Sequence, residues 1–148
     1  MKTSVGRAVW QGNLKKGKGR LKLNSIGFET DYNYLSRFEN GKDTTPEELI
    51  GAAHAGCFSM YLANVLDQKG YKPSEVVTEG HVSLDNNASG PYISGITLHT
   101  TAKVDNIDEE TFLDIAEDAK KNCVVSKALA AVKIEMKAKL LHTIDNPA

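Results

Sequence analysis

The fold of this 148-residue chain is decided by residues 44–69, TTPEELIGAAHAGCFSMYLANVLDQK. Thr45 is a good helix N-cap, Pro46 suits the first helical position, and the two glutamates that follow favour the positive end of a helix dipole. A glutamate three residues after Thr45 also completes a capping box. Gly70 follows as a C-terminal stop. The stretch therefore predicts one long helix.

The middle of this predicted helix is uncharged from position 49 to position 66. A helix that is apolar nearly all round belongs in the core of a protein rather than on its surface. Its length approaches the roughly 20 residues that cross a membrane. Small residues together with His54, Ser59 and Asn64 make it too weakly apolar for a lone span, so we expect a core helix of a soluble protein.

The flanking sequence supplies the other elements. Residues 108–122 predict a second helix, because apolar residues recur there at i, i+3, i+4 and i+7 on a face that Cys123 extends. Alternating apolar and polar residues predict strands. These strands are residues 4–12, 19–26, 28–34, 75–87, 92–104 and 132–141. The order βββ-α-ββ-α-β predicts a single α+β domain over residues 1–148, with antiparallel strand pairing.

The composition excludes several classes of function. The net charge of −1 and the scattered basic residues argue against a nucleic-acid or anionic-membrane partner. The N-terminal residues contain no apolar signal region, and the chain has two cysteines, so we expect the reducing cytoplasm. No spacing of His, Cys and carboxylate residues is typical of a zinc site. We therefore expect neither a metal nor an organic cofactor.

Cys57 and Cys123 are the residues with the most distinctive chemistry. They lie too far apart in sequence for a CxxC motif, but two buried helices could bring them together. They would then be either an inert core pair or a redox couple, since a lone buried cysteine is usually a small hydrophobic residue. A thiol reacts as its thiolate, which burial disfavours, so a reactive Cys57 needs a nearby cation.

Arg37 is the candidate cation. It lies in a predicted loop just before the helix that carries Cys57, whereas Arg7 and Arg20 occupy solvent-facing positions of predicted strands. An arginine stays charged and offers a fixed fork of donors, and Glu47 is well placed as its counter-ion. Simpler interpretations stay open, because Arg37 could be a surface residue of the loop and Glu47 only a partner of the helix dipole.

His54 lies three residues before Cys57, so both are on one helix face. This permits a nucleophilic Cys–His dyad. A lone histidine on an apolar helix is more often a hydrogen-bonded core residue. A hydrolase built on this dyad also lacks a visible third member and oxyanion donors.

Residues 36–66, SRFENGKDTTPEELIGAAHAGCFSMYLANVL, and residues 119–129, AKKNCVVSKAL, resemble the OsmC branch of the OsmC/Ohr family of thiol peroxidases. The order of the elements is also similar across the chain. The resemblance implies that Cys57 is the cysteine that attacks peroxide and that Cys123 resolves it. Arg37 would activate the thiolate, and Glu47 would hold that arginine.

The chain departs from the family pattern at two positions. Val124 stands where a proline often follows the second cysteine, and this concerns the local geometry of Cys123. Gly56 stands where alanine is common, next to the nucleophile.

The resemblance also implies an intertwined homodimer, with two central helices wrapped by antiparallel sheets and an active site at each subunit interface. The expected reaction reduces organic hydroperoxides in oxidative or osmotic stress defence, with hydrogen peroxide as a second candidate substrate. It passes through a Cys57 sulfenic acid and a Cys57–Cys123 disulfide, which an external thiol (a dithiol such as dihydrolipoamide) reduces. The apolar neighbours Phe58, Met60 and Tyr61 favour alkyl hydroperoxides. The alternative is a redox-inert dimeric binding or stress-structural module with buried cysteines.

Overall fold

A computed structural model describes residues 1–142, whose contacts divide into two compact units, Met1–Leu49 and the residues from Ile50 onward. The elements are β1 (Gly6–Gln11), β2 (Lys18–Leu23), β3 (Phe28–Tyr32), α1 (Tyr34–Phe38), α2 (Pro46–Gln68), β4 (Pro73–Asn87), β5 (Gly90–Val104), α3 (Glu109–Asn122), α4 (Val124–Ala128) and β6 (Ile134–Leu141). The predicted order is confirmed. Two short helices are added, α1 in a predicted loop and α4 in a predicted turn. The single domain over 1–148 stays a prediction, and its last six residues lie outside the described ones.

The first unit contains an antiparallel sheet in the order β1-β2-β3. At one end of the sheet, Gly19 of the central strand pairs with both Trp10 and Tyr32. A side chain at Gly19 would collide with both rings. The glycine therefore lets the two rings meet across the sheet, with their centroids 5.4 Å apart.

The start of α2 confirms Thr45 as its cap, because the Thr45 hydroxyl accepts a hydrogen bond from the Glu48 N–H at 2.9 Å. The carboxylate of Glu48 accepts from the Thr44 hydroxyl at 2.6 Å, rather than from the Thr45 backbone as a capping box would require. At the other end, Gly70 adopts a φ of 91°, which confirms the predicted stop.

The second unit contains a sheet in the order β4-β5-β6. β4 and β5 pair antiparallel, but β6 runs parallel to β5, so the prediction of antiparallel pairing is wrong for this strand. The helices α3 and α4 lie between β5 and β6 in the chain. A helical crossover of this kind carries the chain back to the starting end of the sheet, which makes the next strand parallel.

The core lies in the second unit, between this sheet and its helices. One face of α2 and the predicted face of α3 both contribute to it, and Gly51 of α2 approaches the Gly80 backbone so closely that neither position has room for a side chain. The buried core residues include Phe58, Leu62, Leu66, Ile96, Leu98, Ala102, Val104, Phe112, Ile115, Ala116, Ala119 and Cys123. In the last predicted strand, residues 132–141, the alternating pattern predicts that its charged side chains face water. The structure confirms this, because Lys133, Glu135, Lys137 and Lys139 are exposed.

Within residues 1–142, one face of α2 is buried and the other is exposed. Ala52, Ala53 and Gly56 are exposed, and Met60 is 78% exposed. Within residues 1–142, α2 is the one helix long and apolar enough to reach across a membrane, and one third of its most apolar window is buried. The core helices of globular proteins commonly meet the same criterion of length and composition.

Candidate functional site

Arg37 is held in place by the short helix α1. Asn33 caps this helix with a complete capping box: its side chain accepts from the Ser36 N–H at 2.9 Å, and its own N–H donates to the Ser36 hydroxyl at 3.1 Å. The side chain of Asn33 also donates to Asp43 at 2.6 Å. The segment that sequence patterns assigned to a loop is therefore ordered by its own hydrogen bonds.

Arg37 and Glu47 form the ion pair that the sequence predicts. Arg37 Nη2 donates to Glu47 Oε1 at 2.7 Å, and Arg37 Nε donates to both carboxylate oxygens at 3.0 and 3.3 Å. The Glu47 side chain is only 8% exposed, whereas that of Arg37 is 38% exposed. The buried carboxylate fixes one edge of the guanidinium. Among the described residues nothing accepts a hydrogen bond from Nη1, so these donors stay available.

Aromatic rings surround Arg37. Its guanidinium carbon lies 5.3 Å from the centroid of the Phe38 ring, and that ring packs against Tyr34 with centroids 5.0 Å apart. A cavity of about 230 Å³ opens beside them, lined by Trp10, Leu14, Tyr32, Asn33, Tyr34, Arg37 and Phe38. This cavity combines an apolar wall with a single positive charge.

A larger cavity of the first unit, about 540 Å³, is lined mainly by charged side chains of the sheet. Arg20 there donates to Asp31 at 2.6 Å and to Glu29 at 3.2 Å, so its charge is already compensated. Neither cysteine lines this cavity. Its size alone does not make it the functional site.

Cys57 is a free thiol on α2, half-buried and packed against the core of the second unit. The neighbours that sequence reasoning grouped around it diverge in the structure. Phe58 is completely buried in the core, whereas Met60 points outward. Phe58 and Met60 therefore do not lie on one apolar surface beside the thiol, because nearby helix residues project in different directions.

Cys123 is also a free thiol, and it has no solvent exposure. It directly follows α3, whose predicted end at residue 122 is confirmed, and it lies at the junction where it ends α3 and caps α4. Its sulfur accepts from the Ser126 N–H at 3.4 Å. Val124 occupies the first position of α4 and is exposed, so this turn forms without the proline that the family often has there.

A buried hydrogen-bonded chain connects Cys123 to His54. The hydroxyl of Ser126 lies 3.0 Å from Cys123 Sγ and 2.7 Å from His54 Nε2. His54 has no solvent exposure, and burial lowers its pKa below the ordinary value of 6.5. Sequence reasoning missed Ser126, because it lies 72 positions from His54. The one available signal was its position three residues after Cys123 in CVVSKAL.

His54 does not form the Cys57–His54 dyad that the sequence permitted. Its Nε2 faces Ser126, and its Nδ1 has no hydrogen-bond partner in the described part of the chain. Ser126 and His54 are both buried, so they do not present a serine nucleophile to substrates either. Neither form of hydrolase fits this arrangement.

The four residues predicted from the sequence occupy two places. Arg37 and Glu47 are paired in the first unit, whereas Cys57 and Cys123 belong to the second. The chemistry that these groups permit is thiol chemistry, because two of them are free cysteines. Within residues 1–142 no group of three His, Cys, Asp or Glu side chains is placed to hold a metal ion. The site residues thus comprise the half-buried thiol of Cys57, the buried thiol of Cys123 and the arginine held by Glu47.

Three comparisons relate the chain to known proteins. Residues 39–137, more than half of the chain, match the model of the family described as OsmC-like protein. The chain is 43% identical over 127 residues to Peroxiredoxin OsmC of Escherichia coli (strain K12), covering 85% of this chain and 89% of the relative. The same figures hold for Peroxiredoxin OsmC of Shigella flexneri.

Solved structures agree in fold. The organic hydroperoxide resistance protein OsmC of Legionella pneumophila superimposes with a TM-score of 0.70 at 21% identity, covering 95% of this chain and 97% of that one. OhrB of Bacillus subtilis gives a TM-score of 0.68 at 23% identity, covering 93% and 98%. At these identities the similarity concerns the architecture alone.

Proposed function

Because this chain belongs to the OsmC-like family, we propose that Cys57 and Cys123 carry the reaction of a thiol-dependent hydroperoxide peroxidase, with Cys57 as the nucleophile. The protein is a peroxidase of the peroxiredoxin type, which takes a hydroperoxide as substrate and a thiol as reductant. The assignment of each role to a residue of this chain is the proposal.

The observation that carries this assignment is the difference in burial between the two free thiols. Cys57 is half-buried and within reach of a small substrate, whereas Cys123 has no solvent exposure. A peroxide can therefore meet Cys57 first. Cys123 is protected from direct oxidation and is kept for the second step.

In the first step, the Cys57 thiolate attacks the distal oxygen of the hydroperoxide. The oxygen–oxygen bond breaks, Cys57 becomes a sulfenic acid, and the leaving alkoxide takes a proton to form an alcohol. Arg37 supports this step in two ways. Its permanent charge favours the thiolate, and its unpaired Nη1 donors bind the oxygen on which negative charge develops. Glu47 keeps the guanidinium oriented.

In the second step, Cys123 attacks the sulfur of the sulfenic acid, which forms a disulfide and releases water. An external thiol then restores both cysteines by exchange. A dithiol such as dihydrolipoamide suits this step, because its second sulfur closes a ring and drives the exchange to completion.

The cavity beside Arg37 favours organic hydroperoxides as substrates. Its wall contains the rings of Trp10, Tyr32, Tyr34 and Phe38, which bind an alkyl or aryl group, and Arg37 provides the polar end. Hydrogen peroxide has no apolar group to bury there. We expect cumene hydroperoxide to react faster than hydrogen peroxide.

The protein also acts as a homodimer in this proposal, and we place it in the cytoplasm. The apolar helix α2 exposes Ala52, Ala53, Gly56 and Met60 in the single chain, and such a surface is unfavourable in water. The small residues leave room for the backbone of a second copy. Sedimentation at micromolar concentration should give the mass of a dimer, and a stable monomer would refute this part.

The test of the function is the consumption of cumene hydroperoxide with dihydrolipoamide as reductant. Wild-type protein should turn over, and Cys57→Ser should be inactive, because an alcohol does not ionise appreciably and attacks peroxide poorly. Ser59→Ala is the matched control, since it removes a hydroxyl from the same helix that is bonded to Thr78 at 2.7 Å. Equal consumption by Cys57→Ser would leave the redox-inert binding module as the better account.

A further inference from the structure

We propose that Ser126 and His54 form a proton relay that activates Cys123 for disulfide formation, a proposal that rests on the proposed roles of Cys57 and Cys123. Ser126 contacts the reacting sulfur directly, with 3.0 Å between its Oγ and Cys123 Sγ. His54 acts through Ser126, with 2.7 Å between Nε2 and Oγ, and is therefore a positioning and proton-accepting residue.

The relay gives the enclosed thiol a route for its proton. Cys123 and His54 have no solvent exposure, and Ser126 is buried between them. A thiol that attacks another sulfur must lose its proton. Bulk water cannot take the proton from Cys123 in this position, whereas the Ser126 hydroxyl is in contact with it.

A hydroxyl between two partners gives the chain two possible directions. When His54 Nε2 accepts, the thiol donates to Ser126 and Ser126 donates to the ring, so the chain is arranged to remove the thiol proton. When Nε2 donates, Ser126 donates to the sulfur and stabilises a thiolate. The Ser126 N–H, 3.4 Å from the same sulfur, adds a second donor to that thiolate. When the chain changes from the arrangement in which Nε2 accepts to the one in which it donates, the proton of the thiol is in effect transferred to His54.

The unpartnered nitrogen of His54 argues against a purely structural role. Buried polar atoms normally have hydrogen-bond partners, and one left without a partner is destabilising because it has lost its bonds to water. Within the described residues, His54 Nδ1 has none. A phenylalanine or leucine would pack on this apolar helix without that cost. Because Nδ1 contributes nothing, the histidine is explained by what Nε2 does.

Burial also keeps His54 in the protonation state that the relay needs. It lowers the pKa of the ring below its ordinary value, so the ring is neutral at neutral pH and can accept a proton. A buried imidazolium is unfavourable, and it returns its proton readily once the thiol has reacted.

The step balances as follows. The Cys123 S–H bond breaks, its proton passes to Ser126 Oγ, and the proton of Ser126 passes to His54 Nε2. The sulfur electron pair attacks Cys57, and the sulfur–oxygen bond of the sulfenic acid breaks. The departing hydroxide recovers one proton, returned from His54, and leaves as water. The oxidising equivalents come from the hydroperoxide that formed the sulfenic acid.

The chain of bonds also connects the turn of Cys123 to the helix of Cys57. His54 precedes Cys57 by three residues on α2, and residues at this spacing are neighbours, with about 5–6 Å between their Cβ atoms. The hydrogen bond from His54 to Ser126 therefore fixes the start of α4 beside the helix turn that carries Cys57. The contact between His54 and Ser126 therefore both accepts the proton and positions the turn of Cys123.

The experiment separates the two chemical steps in one sample. Full-length reduced protein is mixed with one equivalent of cumene hydroperoxide; peroxide loss reports Cys57 oxidation, and peptide mass analysis of alkylated samples reports the Cys57–Cys123 disulfide. Ser126→Ala should leave the rate of peroxide loss unchanged and slow disulfide formation by about one hundredfold, the lower range of general-base contributions. Ser126→Thr keeps the hydroxyl and should restore most of that rate.

His54→Gln distinguishes a relay from simple positioning. Glutamine keeps a hydrogen bond to Ser126 and most of the packing, but it cannot take a proton, so disulfide formation should stay slow. Ser59→Ala is the control for loss of a part-buried, hydrogen-bonded hydroxyl from the same helix as His54. Wild-type rates of disulfide formation in Ser126→Ala or His54→Gln would overturn the relay alone. Wild-type protein that consumes no peroxide would instead overturn the proposed function.

Discussion

The Arg37–Glu47 pair joins a partly exposed arginine to a buried carboxylate, whereas the residues of the His54–Ser126–Cys123 chain are all buried. The Arg37 side chain is 38% exposed, and its guanidinium holds its charge permanently. In the proposed mechanism a permanent charge would be too costly in the buried chain, so Cys123 depends on a proton that moves. The half-buried Cys57 would thus be activated by a fixed charge, and the enclosed Cys123 by a hydrogen-bonded relay.

This comparison assigns each region to one chemical step. Arg37 and Glu47 should affect the oxidation of Cys57 and not its resolution. Ser126 and His54 should affect resolution and not oxidation. A variant that slows both steps together would break the assignment.

The largest expected effect is that of Cys123→Ser, which should end sustained turnover. The first equivalent of cumene hydroperoxide should disappear at the wild-type rate, because Cys57 is unchanged. With no thiol to form the disulfide, Cys57 should proceed to sulfinic and sulfonic acid in excess peroxide. Mass spectrometry of the Cys57 peptide checks this. A Cys57 that remains a thiol would show that Cys123 takes part in the first step.

Arg37→Ala should slow the oxidation of Cys57 by on the order of 10- to 1000-fold, the usual effect of an opposite charge on ionisation. Arg37→Lys should recover part of this rate, since a point charge favours the thiolate but cannot hold the peroxide oxygen in the same fork. The oxidation rate is measured as peroxide loss by stopped flow, and the rate of Cys57 alkylation is a second readout. The disulfide should still form at the wild-type rate from oxidised Cys57.

Glu47→Gln should also slow the oxidation of Cys57, but by a smaller factor of about tenfold or less. The change keeps the volume of the buried side chain but replaces a charged hydrogen bond to Arg37 with a neutral one, so the guanidinium loses orientation and keeps its charge. Oxidation rates of both variants in one buffer test the order. A loss larger than that of Arg37→Ala would mean that Glu47 acts on more than Arg37.

The smallest effect concerns stability against acid. In the folded protein burial lowers the pKa of His54, so below pH 6.5 the unfolded chain binds a proton that the folded chain refuses. As the pH is lowered below 6.5, the free energy of unfolding should therefore decrease, and His54 should contribute up to about 1.4 kcal/mol of this decrease per pH unit. His54→Gln should show a shallower decline in urea unfolding between pH 7 and pH 5. Equal slopes would mean that His54 accepts a proton in the folded state.

The Arg37–Glu47 pair could be predicted from the sequence, whereas the contact between His54 and Ser126 could not. Arg37 and Glu47 are ten residues apart, and a desolvated arginine needs a counter-ion, so local reasoning was enough to pair them. The apolar spacing of α3 likewise predicted its buried face. These inferences depend on neighbours in the chain and on periodicity.

The remaining features depend on contacts between distant segments. His54 and Ser126 are 72 positions apart, and neither residue type indicates which residue it will contact. The pattern of β6 predicted which side chains face water but not the direction of the strand, because alternation is the same in parallel and antiparallel pairs. Cys123 continues the apolar spacing of α3, and only its extended backbone removes it from that helix.

The most direct test of the account is the fate of the two thiols after one equivalent of cumene hydroperoxide. The account predicts that peptide mass analysis will find Cys57 linked to Cys123 in wild-type protein, with one disulfide formed for each peroxide consumed. It also predicts that dihydrolipoamide will return both to thiols. Peroxide consumption that leaves Cys123 a free thiol, with Cys57 oxidised beyond the sulfenic acid, would contradict the account.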